Sequence, residues 1–203
     1  MQPQWRHEPS PESFGHLPGE LALVVIDMQN SYFELPGLAE QKDALLPKVL
    51  DLIHAAHDAG RPVILVRTQH ERDRSTWTLN MLEDDQGFAF PGTAEAQFVD
   101  GVADVPHVEI VKTRDSAFHG TDLRDQIELL GVTRLLLCGV STHSCIAQTA
   151  TDAFACNLYV AVAVDAVTSE NADLARALLE FLRTEMRQPT LAQADRLALL
   201  SGR

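Results

Sequence analysis

The chain has 203 residues, 45% hydrophobic and 22% charged, the composition of one soluble globular domain with a substantial core. A net charge of −13 and no basic patch exclude nucleic acid and an anionic membrane as expected partners. No apolar run approaches the roughly 20 residues of a membrane span, no basic-then-apolar segment opens the chain, and the three cysteines form no Cys-x-x-Cys pair. A cytoplasmic protein is expected.

Residues 1–19 carry Pro3, Pro9, Pro11, Pro18, Gly15 and Gly19. They read as an N-terminal arm without a core of its own, docked on a neighbouring subunit. Residues 20–203 read as the domain. A first strand is expected over residues 21–26. The helix after it puts Leu46, Val49, Leu50, Ile53 and Ala56 on one face and stops near Gly60. Pro47 suits the first turn of that helix. Residues 62–66 form a second buried strand. Residues 68–107 break the rhythm, with Gly87, Pro91 and Gly92 and no long period. So long a stretch without clear elements usually covers a site.

The rhythm returns with a strand at residues 108–111 and a helix near 122–130, which Thr121 caps and Gly131 stops. A strand over 134–138, a helix over 144–155, a strand over 158–162 and a helix over 171–185 follow. Alternation of this kind predicts a three-layer α/β/α, Rossmann-like fold. Its sheet should be mainly parallel and about six-stranded, with helices on both faces and right-handed crossovers. Ligands then bind beyond the carboxyl ends of the strands.

Asp27, Lys112 and Cys145 each follow such an end. Alone, each has an ordinary reading: a cap, a solvated lysine, a small buried hydrophobe. The last reading serves for Cys138 and Cys156. Cys145 differs by sitting on a strand-to-helix turn, where backbone N–H groups and the helix dipole favour a thiolate or an oxyanion. Together the three make a chemical unit. Asp can take the thiol proton, and Lys can stabilise both anions. His143, two residues before Cys145, is expected in the turn or pocket wall. His70 and His119 lie in loops after strands, where they can line the pocket. His54 and His57 fit a solvated helix face, and no metal motif accompanies them. Arg67, Arg72, Arg74 and Arg114 lie near the expected mouth, in reach of a substrate carboxylate.

Four ordered blocks of this sequence are similar to the isochorismatase-like cysteine hydrolases, the superfamily of isochorismatase, nicotinamidase and N-carbamoylsarcosine amidase. They are Val24-Val25-Ile26-Asp27-Met28-Gln29-Asn30; Gly60-Arg61-Pro62-Val63; Lys112 with Asp115-Ser116-Ala117-Phe118 and Thr121-Asp122-Leu123; and Gly139-Val140-Ser141-Thr142-His143-Ser144-Cys145 with Thr149-Ala150-Thr151-Asp152-Ala153. The resemblance covers about residues 21–170. It implies Asp27, Lys112 and Cys145 as a catalytic triad. It also implies a cis peptide at Val140–Ser141 and an oxyanion site on the N–H groups near Ser141 and Cys145. The pocket it implies is walled by Phe33, Trp77 and Phe118, beside His70 and His143, with Gln29 orienting backbone. It further implies at least a homodimer. Two departures matter. Nicotinamidases of the family carry an Asp-x-His metal motif where this chain reads Arg67-Thr68-Gln69-His70, so a metal-dependent nicotinamidase is not expected. True isochorismatases commonly lack the cysteine. The expected activity is therefore hydrolysis of a small amide or other C–N bond through a thioester, with no cofactor and a small-molecule substrate. The alternatives are vinyl-ether hydrolysis, with Asp27 as the acid, and a catalytically silent binding protein.

Overall fold

The structure, a computed structural model, describes residues 10–201. Its sheet has six strands, β1 (Glu20–Ile26), β2 (Val63–Thr68), β3 (Val108–Lys112), β4 (Val132–Val140), β5 (Tyr159–Thr168) and β6 (Thr190–Leu191). All pairings are parallel and the order is β3-β2-β1-β4-β5-β6. Parallel order forces crossovers onto the faces, so β1 and β4 are buried on both sides and read as near-continuous apolar runs. Alternation then divides the core. Leu21, Leu23, Val25, Leu65 and Leu136 face α3 (Lys42–Asp58) and α8 (Gln193–Ser201). Ala22, Val24, Ile26, Ile64 and Leu137 face α5 (Leu123–Leu129) and α6 (Ala147–Ala155). The chain winds outward from β1 to one edge through β2 and β3, and to the other through β4, β5 and β6. The reversal of winding lies between β1 and β4, and it opens a crevice at their carboxyl ends.

Four features differ from the sequence reading. Residues 1–9 of the expected arm lie outside the described residues. Residues 10–19 do hold on to the domain's own core. Ser10 caps α1 (Pro11–Gly15), accepting from Ser13 N at 3.1 Å. Phe14 is 2% exposed within the α3-side core, and Arg134 donates to the Gly15 and Gly19 carbonyls at 3.1 and 2.9 Å. Secondly, α3 begins at Lys42, so Pro47 lies inside the helix and not in its first turn. That exposed position leaves only the Asp43 carbonyl without its usual partner, and water can supply one. Thirdly, β6 and α8 were not expected. Two residues give β6 no period to read, and the fully buried Arg196 disguises the apolar face of α8. Lastly, the expected helix over 144–155 is divided into a π-helical turn, Thr142–Ile146, and α6.

The irregular segment after β2 contains one short helix, α4 (Leu79–Glu83). It is otherwise a packed loop with Ala89, Ala96, Val99, Val102 and Val105 buried. It is tied to the loop after β1 by Asn30 N to Gln97 O, Ser31 N to Glu95 O and Val99 N to Met28 O, at 2.8–3.0 Å. Gln29 is fully buried and locks the two loops. Its amide donates to the Thr68 and Ala96 carbonyls, both at 2.9 Å, and accepts from Thr68 N at 2.8 Å. The segment therefore roofs the carboxyl end of the sheet beside the crevice.

Candidate active site

Strand register brings the reactive groups together. Ile26 pairs with both Val66 and Gly139, and Thr68 pairs with Lys112, so β1, β2, β3 and β4 end nearly level. Asp27 then leaves β1 with φ 54°, a left-handed turn that Asp tolerates better than most residues. Its N–H donates to the Val66 carbonyl at 2.9 Å. Period-two alternation sends Ile110 and Lys112 to the buried face of β3, and Glu109 and Val111 outward. Gly139 has φ 113°, and a Cβ there would strike the Ile26 carbonyl, so only glycine lets β4 pass so close to β1. The Val140–Ser141 peptide is cis, and the π-helical turn after it carries Cys145.

The Lys112 ammonium lies 2.8 Å from Asp27 Oδ2 and donates to Thr68 Oγ1 at 2.8 Å and to Cys145 Sγ at 3.3 Å. Its three protons thus have three partners. Thr68 Oγ1 donates its single proton to Asp27 Oδ1 at 3.0 Å. Tyr32 OH, 2.9 Å from the same oxygen, must therefore be the donor there. Asp27 is fully buried, Lys112 is 1% exposed and Cys145 is 3% exposed. Asp27 Oδ2 has the ammonium as its ion partner and no other partner, so a lone pair remains on it.

Burial, reinforced by Asp27 and opposed by Lys112, pushes the Cys145 thiol from 9.0 up to about 12. The turn and the lysine therefore do not produce a standing thiolate; desolvation outweighs them, and the proton is left for Asp27 to remove. Burial also works against the Lys112 ammonium, but Asp27 and then Cys145 overcome it and raise the group from 10.5 to about 12. At neutral pH the site therefore holds an ammonium and a thiol. Cys138, fully buried in the sheet, is likewise pushed to about 12 by burial. These three groups keep protons in the folded state that the unfolded chain releases from about pH 9 upward. Their contribution to stability is complete below that pH and is lost as pH climbs to about 12. The urea midpoint should therefore fall between about pH 8 and about pH 10.5, and a flat or rising midpoint would contradict the assignment.

The remaining expected site residues are more dispersed. His70 is 2% exposed, with Nδ1 3.1 Å from the Thr76 carbonyl, so Nδ1 carries the proton. Burial, and then Arg114 and Lys112, lower its pKa and keep the ring neutral. Trp77 donates to the Glu71 carbonyl at 2.8 Å and packs on Phe90. Phe118 leans on the core beside α5 and α6, whereas Phe33 belongs to the core on the α3 side. His143 turns to Ser169 Oγ at 2.6 Å and approaches Glu170 at 3.7 Å, leaving Cys145 to other partners. His54, His57 and His119 are exposed. An open cleft of about 720 Å³ between β5 and α7 (Ala172–Glu185) reaches Thr142 and Ser169 but is not lined by Cys145, so it is not the chamber of the thiol. The residues present do not fit a nicotinamidase-type metal. Among the described residues no three His, Cys, Asp or Glu side chains gather as ligands.

Thr68 and Tyr32 were missed in the sequence. Thr68 was findable, because it closes β2 as Asp27 and Lys112 follow or close their strands. Tyr32 had no such signal.

An isochorismatase-domain family model matches residues 21–194. A protein of Arabidopsis thaliana described as a "Probable inactive nicotinamidase" is 34% identical over 180 residues, covering 84% of this chain and 92% of its own. A ureidoacrylate amidohydrolase of Pseudomonas syringae pv. syringae is 24% identical over 200 residues, covering 87% and 82%. The crystal structure of an isochorismatase family protein from Desulfovibrio vulgaris superposes with a TM-score of 0.76 at 30% identity, covering 87% of this chain and 96% of its own.

Proposed function

Because the chain belongs to the isochorismatase family, we propose that it is a cysteine-dependent hydrolase of a small amide or related C–N bond. The observation that carries this reading is the Lys112 ammonium held 2.8 Å from Asp27 and 3.3 Å from the Cys145 sulfur. One of its relatives is a ureidoacrylate amidohydrolase.

The thiol's high pKa requires proton removal at the moment of attack. As the S–C bond forms, the S–H proton passes to the free lone pair of Asp27, and the carbonyl π pair moves onto oxygen. Backbone N–H groups near Ser141 and Cys145 take the oxyanion. Lys112 pairs with Asp27 and fixes sulfur and carboxylate in one geometry. Collapse of the adduct breaks the C–N bond, and Asp27 returns its proton to the leaving nitrogen. Water then adds to the thioester while Asp27 takes its proton. The C–S bond breaks, and the sulfur recovers the proton from Asp27. Thr68, a donor to Asp27 and an acceptor from Lys112, holds the pair in register.

The test is an ammonia-release screen over small carboxamides, carbamoyl and ureido compounds. Turnover of one class with trapping of an acyl group on Cys145 is the expected result. Silence across a broad panel would sink the reading.

A further inference from the structure

A second carboxylate stands at the sulfur. Asp115, in the loop after β3, puts Oδ1 3.9 Å from Cys145 Sγ, and Gln148 of α6 fixes its other oxygen with a 2.7 Å hydrogen bond. Asp27 is sealed in the interior, whereas Asp115 and Gln148 are exposed. The thiol therefore has a carboxylate on its protein side and another on its solvent side.

Near the sulfur, the Asp27 and Lys112 charges cancel, and the charge of Asp115 does not. After burial and Asp27, Asp115 is among the groups that push the thiol pKa upward. The arginines expected at the mouth are engaged elsewhere. Arg114 donates to the Thr76 and Thr113 carbonyls at 2.7 and 2.6 Å. Arg67 pairs with Glu109 at 2.6 Å, Arg74 pairs with Asp85, and Arg72 lies over the Phe90 ring at 4.3 Å. A substrate carboxylate placed beside the reacting carbon would meet the Asp115 carboxylate at the sulfur. An N–H donor or a cationic nitrogen in that place would find an acceptor already oriented by Gln148.

We propose that Asp115 is the specificity-determining residue of this site. It admits amide or ureido substrates that present N–H groups or a cationic nitrogen beside the scissile carbonyl, and it rejects those that present a carboxylate there. The substrate class rests on the amide-hydrolase reading above; the charge at the sulfur does not. Repulsion of the wrong ligand is as effective a source of selectivity as attraction of the right one. A separation of 3.9 Å also lies well inside the screening length of physiological salt.

The test compares two thiol reagents of equal size class, the cationic trimethylammonioethyl methanethiosulfonate and the anionic sulfonatoethyl methanethiosulfonate. Each forms a mixed disulfide with the sulfur and expels methanesulfinate. Labelling of Cys145 is followed by peptide mass in a Cys156→Ser background, and rates are normalised to a small free thiol. Asp115→Asn keeps the shape and an acceptor for Gln148 but removes the charge. The cation-to-anion rate ratio should fall about 10-fold in Asp115→Asn. Among amides, the variant should gain on carboxylate-bearing substrates through a lower KM. An unchanged ratio would overturn the proposal. So would a thiol that neither reagent reaches, because Asp115 would then guard no approach. A loss of all turnover as deep as that of Asp27→Asn would also overturn it, in favour of a second base. A shifted ratio with no amide turned over in either protein would leave the charge filter standing and remove the amide reading. Amide turnover with an unshifted ratio would do the opposite.

Discussion

Cys145→Ala should lower kcat/KM on any amide substrate by about 10⁴-fold or more. The sulfur is the atom that becomes bonded to the acyl carbon, and the Thr68 hydroxyl beside it is committed to Asp27 and Lys112. Cys138 is fully buried within β4, and Ser144 Oγ lies 3.9 Å from the sulfur on the same turn, apart from the Lys112 bonds. The fold should survive, because Asp27 and Lys112 keep their 2.8 Å pair without the sulfur. The measurement is steady-state kinetics beside a thermal melt, with mass spectrometry for an acyl adduct in the parent protein. Substantial turnover by a folded Cys145→Ala protein would exclude the thioester route. It would favour acid catalysis by Asp27, as vinyl-ether cleavage requires.

The second large effect concerns the ion pair. Lys112→Met leaves the Asp27 carboxylate without its cation in a fully buried site, and Asp27→Asn leaves the ammonium without its anion. Each single change should cost about 3–5 kcal/mol of stability, the usual penalty for an unpaired buried charge. The double change should cost much less than the sum, since neither charge is then stranded. Urea unfolding of the four proteins reads the coupling directly. Strict additivity would mean that the two groups do not stabilise one another. All three variants should be nearly inactive, so activity and stability separate in the double variant. Recovered folding without recovered turnover distinguishes a chemical role from a purely structural one.

The arrangement explains why the thiol can be reactive without being ionised at rest. Burial alone would make Cys145 as inert as Cys138, since both are pushed to about 12. The difference lies in the neighbours. Cys145 has an ammonium at 3.3 Å and a carboxylate with an unused lone pair beside it. Proton transfer and bond formation can then proceed together, and no isolated thiolate need exist in the interior.

Much of this was readable in one dimension because strand ends are marked in the chain. Apolar runs that close on Asp27, Lys112 and the Gly139-to-Cys145 turn announce a parallel sheet and the level at which its strands stop. The same rule applied to β2 would have yielded Thr68. Asp115 was seen only as part of a motif, because a loop carboxylate gives no sign of what it faces. Residues 10–19 escaped the sequence reading for a related reason. Their prolines are visible locally, whereas the place of Phe14 in the core and the grip of Arg134 depend on chain more than 100 residues away.

The sequence by itself determined the layered α/β architecture, the ends of β1 and β3, and the carboxylate, ammonium and thiol that stand at strand ends. Periodicity and residue chemistry are local properties, and they survive without coordinates. Only the tertiary structure decided the upward push of burial on the thiol, the partners of the arginines, and the second carboxylate on the solvent side. Those depend on burial and on distances of 3 to 4 Å between segments far apart in the chain, and electrostatic energy changes steeply over that range.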